Sequence, residues 1–248
     1  MYKRQIYSVR ESSITEGLIW VGANDGPVHI TRNGGKNWTD VTPNRNLKGG
    51  RVDSIEPSMH KEGKAFVTIL RYQLGDWKPY IYKTEDYGGT WELITNGIPQ
   101  DFPVRVLRED PIREGLLFAG TEFGMYISLD DGKFWSKFQQ NLPLTPITDI
   151  IIHRDDLVLS TMGRSFWVMD NINFLRYYNF SDGNKLYPIS STIRYRNRPY
   201  KNKHVSYPLT TVDFDYNILD NDIESIIITI YDKENKVVNR YSSCLLYT

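Results

Sequence analysis

Cysteine is almost missing: the only one, Cys244, lies within the last five residues of the chain. Histidine is scarce too, and positions 29, 60, 153 and 204 do not have the spacing of metal ligands, so no metal site is expected. Neither sign of charge is in excess. Thirty basic and thirty acidic residues cancel, which leaves no global field to draw the chain to nucleic acid or an acidic membrane. No run of 18 apolar residues exists, so no membrane insertion is expected. The G-x-S-x-G, P-loop and dinucleotide fingerprints are absent, and no cofactor is expected. "SLDDGK" (128–133) lacks the further spaced oxygen ligands of a calcium loop. Ala-Leu-Glu-Lys stretches at helical spacing are rare, whereas aromatics reach 13%.

The ends are unusual. "MYKRQIYSVRESS" has basic residues but no apolar stretch after them, so it is no signal peptide. "MYKRQ" is what GTG-TAT-AAG-AGA-CAG encodes, and "CLLYT" what TGT-CTC-TTA-TAC-ACA encodes; the two strings look like opposite strands of a transposase end sequence. Residues 1–5 and 244–248 are therefore expected to be translated adapter, and the chain an internal stretch of a longer protein. On that expectation Cys244 is not native, the disulfide question disappears, and the missing signal peptide says nothing about compartment.

What the sequence does contain is a repeat. "TRNGGKNW" (31–38), "TEDYGGTW" (84–91) and "SLDDGKFW" (128–135) all read Ser/Thr-x-Asp/Asn-x-Gly-x-x-Trp. Their first residues lie 53 and 44 residues apart, close to the period of about 40–50 expected for one propeller blade. The flanks repeat as well: "GLIWVGANDGPVHI" (17–30) matches "GLLFAGTEFGMYI" (115–127). A degenerate fourth unit, "DLVLSTMGRSFWVMD" (156–170), has lost the Asp-Gly turn. Ahead of the units lie the short strands "IYSVRE" (6–11), "RVDSIEP" (51–57), "VRVLREDP" (104–111) and "ITDIIIH" (147–153). Each unit thus reads as four strands, and residues 6–177 as four four-stranded antiparallel β-propeller blades, a number that could in principle close by itself.

The residue types in the motif suit a turn. An Asp or Asn accepts nearby backbone N–H groups, and Ser or Thr does so more weakly. Gly35, Gly88 and Gly132 can adopt positive φ without a Cβ penalty. Trp38, Trp91 and Trp135 are placed to bury their rings where strands meet. An active site occurs once per fold and this turn occurs three times. Thr31, Asn33, Gly35 and Trp38, Thr84, Asp86, Gly88 and Trp91, and Ser128, Asp130, Gly132 and Trp135 therefore read as structural.

On these residues the chain resembles Asp-box proteins, the bacterial neuraminidase repeat shared by sialidase, xyloglucanase and sortilin-type propellers. Residues 6–177 most resemble bacterial exported proteins with sortilin-like propellers, often labelled glycosyl hydrolases. The departures are Asn33 in place of Asp and the degenerate fourth unit. The resemblance implies a secreted, periplasmic or cell-envelope protein whose signal sequence lies outside this stretch. It also implies more blades than four, so that residues 6–177 are expected to be the C-terminal part of a larger propeller.

Beyond the repeat, residues 178–205 are polar and basic, with Arg194, Arg196, Arg198, Lys201 and Lys203, and read as a solvated linker or an anion-binding strip. "TTVDFDYNI" and "SIIITIYDKENKVVNRYSS" alternate with period two around the turn "DKENK". Residues 206–243 are read as the start of an immunoglobulin-like β-sandwich, similar to the FlgD-like modules that follow such propellers. The whole is thus all-β.

In a four-stranded blade the loops from second to third strand, and from the outer strand to the next inner one, share a face opposite the motif turns. Ligand contacts are expected on that first set. "RYQLGDWKPY" (71–80) is the longest, with Arg71, Tyr72, Asp76 and Trp77. Trp77 and Tyr72 either grip a sugar or a peptide side chain or pack on the neighbouring blade. Arg51, Arg105 and Arg164 either bind a carboxylate or pair with Glu56, Glu109 and Asp170. Two functions follow. One is a module holding a protein, peptide or glycan at the channel-mouth loops. The other is a glycoside hydrolase whose two carboxylates stand about 5–5.5 Å apart for retention or about 6.5–9.5 Å for inversion. Asp25, Glu122 and Asp149 are the candidates for such a pair. The sequence leaves oligomeric state open.

Overall fold

The computed structural model describes residues 5–190, 211–219, 223 and 225–244. The chain divides into two compact units, Met1–Arg176 and Tyr177–Thr248.

The first unit is a run of antiparallel meanders. β1 (Ile6–Glu11), β2 (Ile19–Ala23), β3 (Val28–Thr31) and β4 (Thr39–Asp40) form the first sheet in that order. β5 (Arg51–Pro57), β6 (Ala65–Leu70), β7 (Ile81–Thr84) and β8 (Glu92–Leu93) form the second, and β9 (Val104–Glu109), β10 (Leu117–Thr121), β11 (Gly124–Ser128) and β12 (Ser136–Lys137) the third. The fourth sheet is a correction to the sequence reading, because it has three strands, β13 (Ile147–His153), β14 (Asp156–Thr161) and β15 (Phe166–Met169). Without the Asp-Gly turn nothing reverses the chain after β15, and it runs into a 3-10 turn at Ile172–Arg176 instead.

The first strands of successive sheets pack side by side, β1 on β5, β5 on β9 and β9 on β13. Apolar residues of consecutive sheets meet between them, so the core is three slabs rather than one nucleus. Trp20, Val28, Val52, Val67 and Tyr82 fill the first slab. Phe66, Ile81, Leu107, Leu117 and Trp135 fill the second, and Val106, Phe118, Met125, Ile147 and Leu159 the third. β9, flanked on both sides, is buried at every residue, whereas β1, flanked on one side among the described residues, leaves Ile6 67% and Val9 54% exposed. Gly22 and Gly120 let consecutive blades approach closely, since a Cβ there would stand 2.3 Å from Val52 and 2.7 Å from Ile147.

The second unit contains β16 (Lys185–Leu186) paired with β17 (Tyr216–Asn217), and a hairpin of β18 (Ser225–Tyr231) and β19 (Val237–Cys244). The "DKENK" turn closes where Asp232 Oδ1 accepts the Glu234 and Lys236 N–H groups. Of the expected strand "TTVDFDYNI", among its described residues only Tyr216–Asn217 form a strand. The basic stretch from Arg194 to Lys203, His204, and residues 1–4 and 245–248 lie outside the described residues. Among the described residues no helix is long and apolar enough to cross a membrane.

Candidate functional site

The repeated turn has one hydrogen-bond pattern at all three places. The Thr31, Thr84 and Ser128 hydroxyls donate to Oδ1 of Asn33, Asp86 and Asp130 at 2.9, 2.8 and 2.8 Å. The same hydroxyls accept the N–H of Gly35, Gly88 and Gly132, whose φ values are 89°, 84° and 84°. Oδ1 in turn accepts the N–H four residues on, of Asn37, Thr90 and Phe134. The next residue after Asn33, Asp86 and Asp130 donates its N–H to Gly17, Gly63 and Gly115, in the connection from first to second strand. The turns therefore sit at the end of the blades away from the long loop at 71–80.

The tryptophans differ in what they reach. The Trp135 indole donates to Ile94 O at 2.8 Å and that of Trp91 to Val41 O at 2.8 Å, each a carbonyl of the preceding sheet. Trp38 departs from the expectation of a buried ring. It is 45% exposed, because among the described residues no sheet precedes the first and no such carbonyl is present.

At the opposite end the inner strands carry a feature the periodicity did not reveal. Each has one extra residue where its register against the second strand shifts: Tyr7 in β1, Asp53 in β5, Arg105 in β9 and Thr148 in β13. A bulge of this kind re-aims a side chain. Three of the four join in one chain of contacts around the mouth of the inner-strand channel. Arg51 pairs with Asp53 and lies 4.4 Å above the Tyr7 ring. Asp53 is 3.7 Å from Arg105, which pairs with Glu122 at 2.6 Å and lies 5.8 Å above the Tyr72 ring. Arg105 is buried, and its Nε has no hydrogen-bond partner among the described residues. A polar cleft of about 260 Å³ opens here, lined by Tyr7, Asp53, Ser54, Arg108, Thr148 and Asp149.

The loop at 71–80 is braced from inside. Arg71 Nη1 donates to Lys48 O and Gly49 O at 2.7 and 2.5 Å, its Nε donates to Asp76 at 2.9 Å, and the Tyr80 hydroxyl donates to the same carboxylate at 2.8 Å. Burial works to raise Asp76, but the bonds from Tyr80 and Arg71 outweigh it and hold the carboxyl below its ordinary range. Burial and the Asp76 charge push Tyr80 up to about 12. A 3-10 turn, Tyr72–Leu74, ends at Gly75 in the left-handed region. The frame presents Trp77, 46% exposed, and Leu74, 58% exposed. Trp77 leans on Tyr72 with ring centroids 5.9 Å apart, so it is not wedged between blades. Phe123 stands 4.8 Å from Phe102 and follows Glu122 directly.

The other sequence candidates fall as follows. Arg51 and Arg105 share Asp53 rather than pairing with Glu56 or Glu109, and Arg164, which is exposed, is not part of this chain of pairs. Asp25 lies on the exposed turn between β2 and β3. Glu122 and Asp149 are held by different arginines, Asp149 lying 2.6 Å from Arg108. Arg108, not picked out by sequence, also bonds Ser54 Oγ at 2.8 Å and Ile150 O at 3.0 Å and lies 3.4 Å from Glu56. Burial pushes Glu56 up to about 7, against the pull of Arg108 and Arg10. Both lie on a wider cleft of about 480 Å³ with Arg10, Glu109 and Asp149. Alternation placed Glu56 on an inner strand, but which cation faces it depends on a strand about fifty residues away. Among the described residues no group of three or more His, Cys, Asp or Glu is placed to hold a metal ion.

No protein-family model matches the chain. An oligoxyloglucan reducing-end-specific xyloglucanase of Emericella nidulans is 29% identical over 111 residues, 42% of this chain and 13% of that protein. Among solved structures, YCF48 bound to D1 peptide overlays with a TM-score of 0.51 at 18% identity, covering 67% of this chain and 52% of that one. The GH74 xyloglucanase of Xanthomonas campestris overlays with a TM-score of 0.51 at 15% identity, covering 68% and 28%. The fold is a β-propeller. The chain spans about half of the first of these structures and a smaller share of the xyloglucanases, and at such identities the overlays speak for architecture alone.

Proposed function

We propose that the propeller is a binding module that holds an extended polypeptide segment across the mouth of the inner-strand channel. The observation that carries this is the pairing, on one rim, of exposed aromatic and aliphatic area with a charged belt. Trp77, Leu74 and Phe123 offer the former, and the bulge residues Asp53 and Arg105, with Glu122, supply the latter. Arg105 keeps an unused N–H donor inside that belt. Tilted rings with a leucine beside them suit apolar peptide side chains better than the flat face of a sugar, although Trp77 and Tyr72 also leave room for a glycan. The protein solved with a bound D1 peptide shares this architecture, which agrees with the reading. On the same reading the turns are Asp-boxes, the relationship is to sortilin-like exported propellers, and the protein works outside the cytoplasm or in the cell envelope. Screening peptide and glycan arrays with the parent protein and with Trp77→Ala tests it. Binding to neither array, or binding indifferent to Trp77, defeats it.

A glycoside hydrolase is the second reading, favoured by the likeness to the Emericella xyloglucanase. It requires Glu122 or Asp149 to leave its arginine and face a substrate. Release of reducing sugar from xyloglucan oligosaccharides, abolished by Asp149→Asn, would establish it.

A further inference from the structure

Among the described residues the fourth blade has no fourth strand, and what such a strand would bring can be read from the other blades. Val41, Ile94 and Phe138 are equivalent. Each follows the two-residue fourth strand of its blade, and each donates its N–H at 2.9 Å to the third strand, to Val28 O, Ile81 O and Met125 O. The carbonyls of Val41 and Ile94 accept the indole N–H of the next blade's motif tryptophan, Trp91 and Trp135. Phe138 is followed by the blade that lacks the motif. Beside it is an apolar pocket of about 270 Å³, lined by Phe138, Leu142, Leu157, Leu159, Trp167 and Met169. Trp167 opposes Leu159 as Tyr126 opposes Ala119, so the pocket occupies in the fourth blade the place that Trp135 fills in the third. Along its rim β15 pairs, among the described residues, only with β14, and its outward residues Phe166 and Val168 are 77% and 55% exposed. An open edge beside an empty apolar pocket is the arrangement that accepts an added strand.

We propose that the β15 edge and this pocket receive an extended, tryptophan-bearing segment of a partner polypeptide, which adds as the fourth strand. Its indole enters the pocket and donates to Phe138 O, and its backbone pairs with Phe166–Met169. One detail of the internal pattern is not reproduced. Trp135 O lies where Gly97 has no Cβ, at 2.1 Å from the position one would take, whereas the equivalent Asn141 has a Cβ. The partner is therefore gripped by its indole and its strand, and less by the turn at Gln139–Leu142.

The test uses the full chain and a synthetic peptide of residues 130–139, Asp-Asp-Gly-Lys-Phe-Trp-Ser-Lys-Phe-Gln, against the same peptide with alanine for tryptophan. Calorimetry is expected to show saturable binding, weakened at least tenfold by loss of the peptide's tryptophan and, separately, by Met169→Glu or Val168→Pro. Hydrogen exchange is expected to slow at residues 166–169 on binding. Trp77→Ala is expected to leave this binding unchanged, which separates it from ligand capture at the channel mouth. Absence of binding, equal affinity for the two peptides, or no protection at 166–169 overturns the proposal.

Discussion

Ser128 and Asp130 show how two residues of one turn differ in weight. Ser128 is fully buried, donates to Asp130 and accepts from Gly132, whereas Asp130 faces solvent. Ser128→Ala leaves a buried N–H without an acceptor and is expected to cost about 1–3 kcal/mol. Asp130→Ala is expected to cost less, and neither change should alter ligand binding at the far rim. Urea denaturation of the two variants checks the order. Glu56 gives a pH signature. Its native value of about 7 lies above the ordinary 4.5 of an unfolded chain, so between those values the native state keeps a proton that the unfolded state has released. Stability therefore falls as pH rises across that window, and the deficit persists above it. Glu56→Gln removes the effect, so the variant should match the parent near pH 4.5 and exceed it at pH 8 by up to about 3 kcal/mol. A parent-minus-variant difference that is flat with pH would contradict this. The turn residues were legible because their bonds span four positions. Glu56 was not, because its burial depends on Arg108 in another blade.

At the scale of the element, the three motif tryptophans are alike in sequence and unlike in consequence. Trp135 is 1% exposed within the slab between the second and third blades, and Trp135→Ala should cost about 3–5 kcal/mol. Trp38→Ala, at a half-exposed ring, should shift stability by no more than about 0.5 kcal/mol. Thermal melts of the pair test this. The loop at 71–80 is the other decisive element. Because Arg71, Asp76 and Tyr80 fix it internally, Trp77 can be removed without unfolding it. Trp77→Ala is expected to weaken ligand binding by about 2 kcal/mol or more with an unchanged melting temperature. Loop length pointed to this segment in the sequence. Its internal bracing did not show there, since Arg71 reaches back to Lys48 and Gly49, 23 and 22 residues earlier in the chain.

Over the whole molecule, stability is a matter of neighbours. Each slab joins two consecutive blades, so the unit behaves as a stack in which damage at one boundary stays near it. The boundary between the second and third blades holds Lys64, 1% exposed, beside Glu109, 0% exposed, at 3.1 Å and Asp131 at 2.8 Å. Lys64→Met leaves Glu109 buried without its partner and should cost about 3–5 kcal/mol. Hydrogen exchange should quicken first in β6 and β9, while protection at β1–β2 is less affected. A uniform loss would mean that the blades do not behave as separate neighbours. The sequence by itself determined the blade succession, the inner strands at 6–11, 51–57 and 147–153, and the three hairpin turns. All of these rest on alternation and on hydrogen bonds between residues close in the chain. Only the tertiary structure decided which residues the four inner-strand bulges re-aim into the mouth, that Arg51 and Arg105 share Asp53, and that among the described residues the fourth blade keeps an open edge beside an apolar pocket. Those outcomes depend on how one blade registers against the next, and a contact between residues some fifty positions apart leaves no period in the sequence.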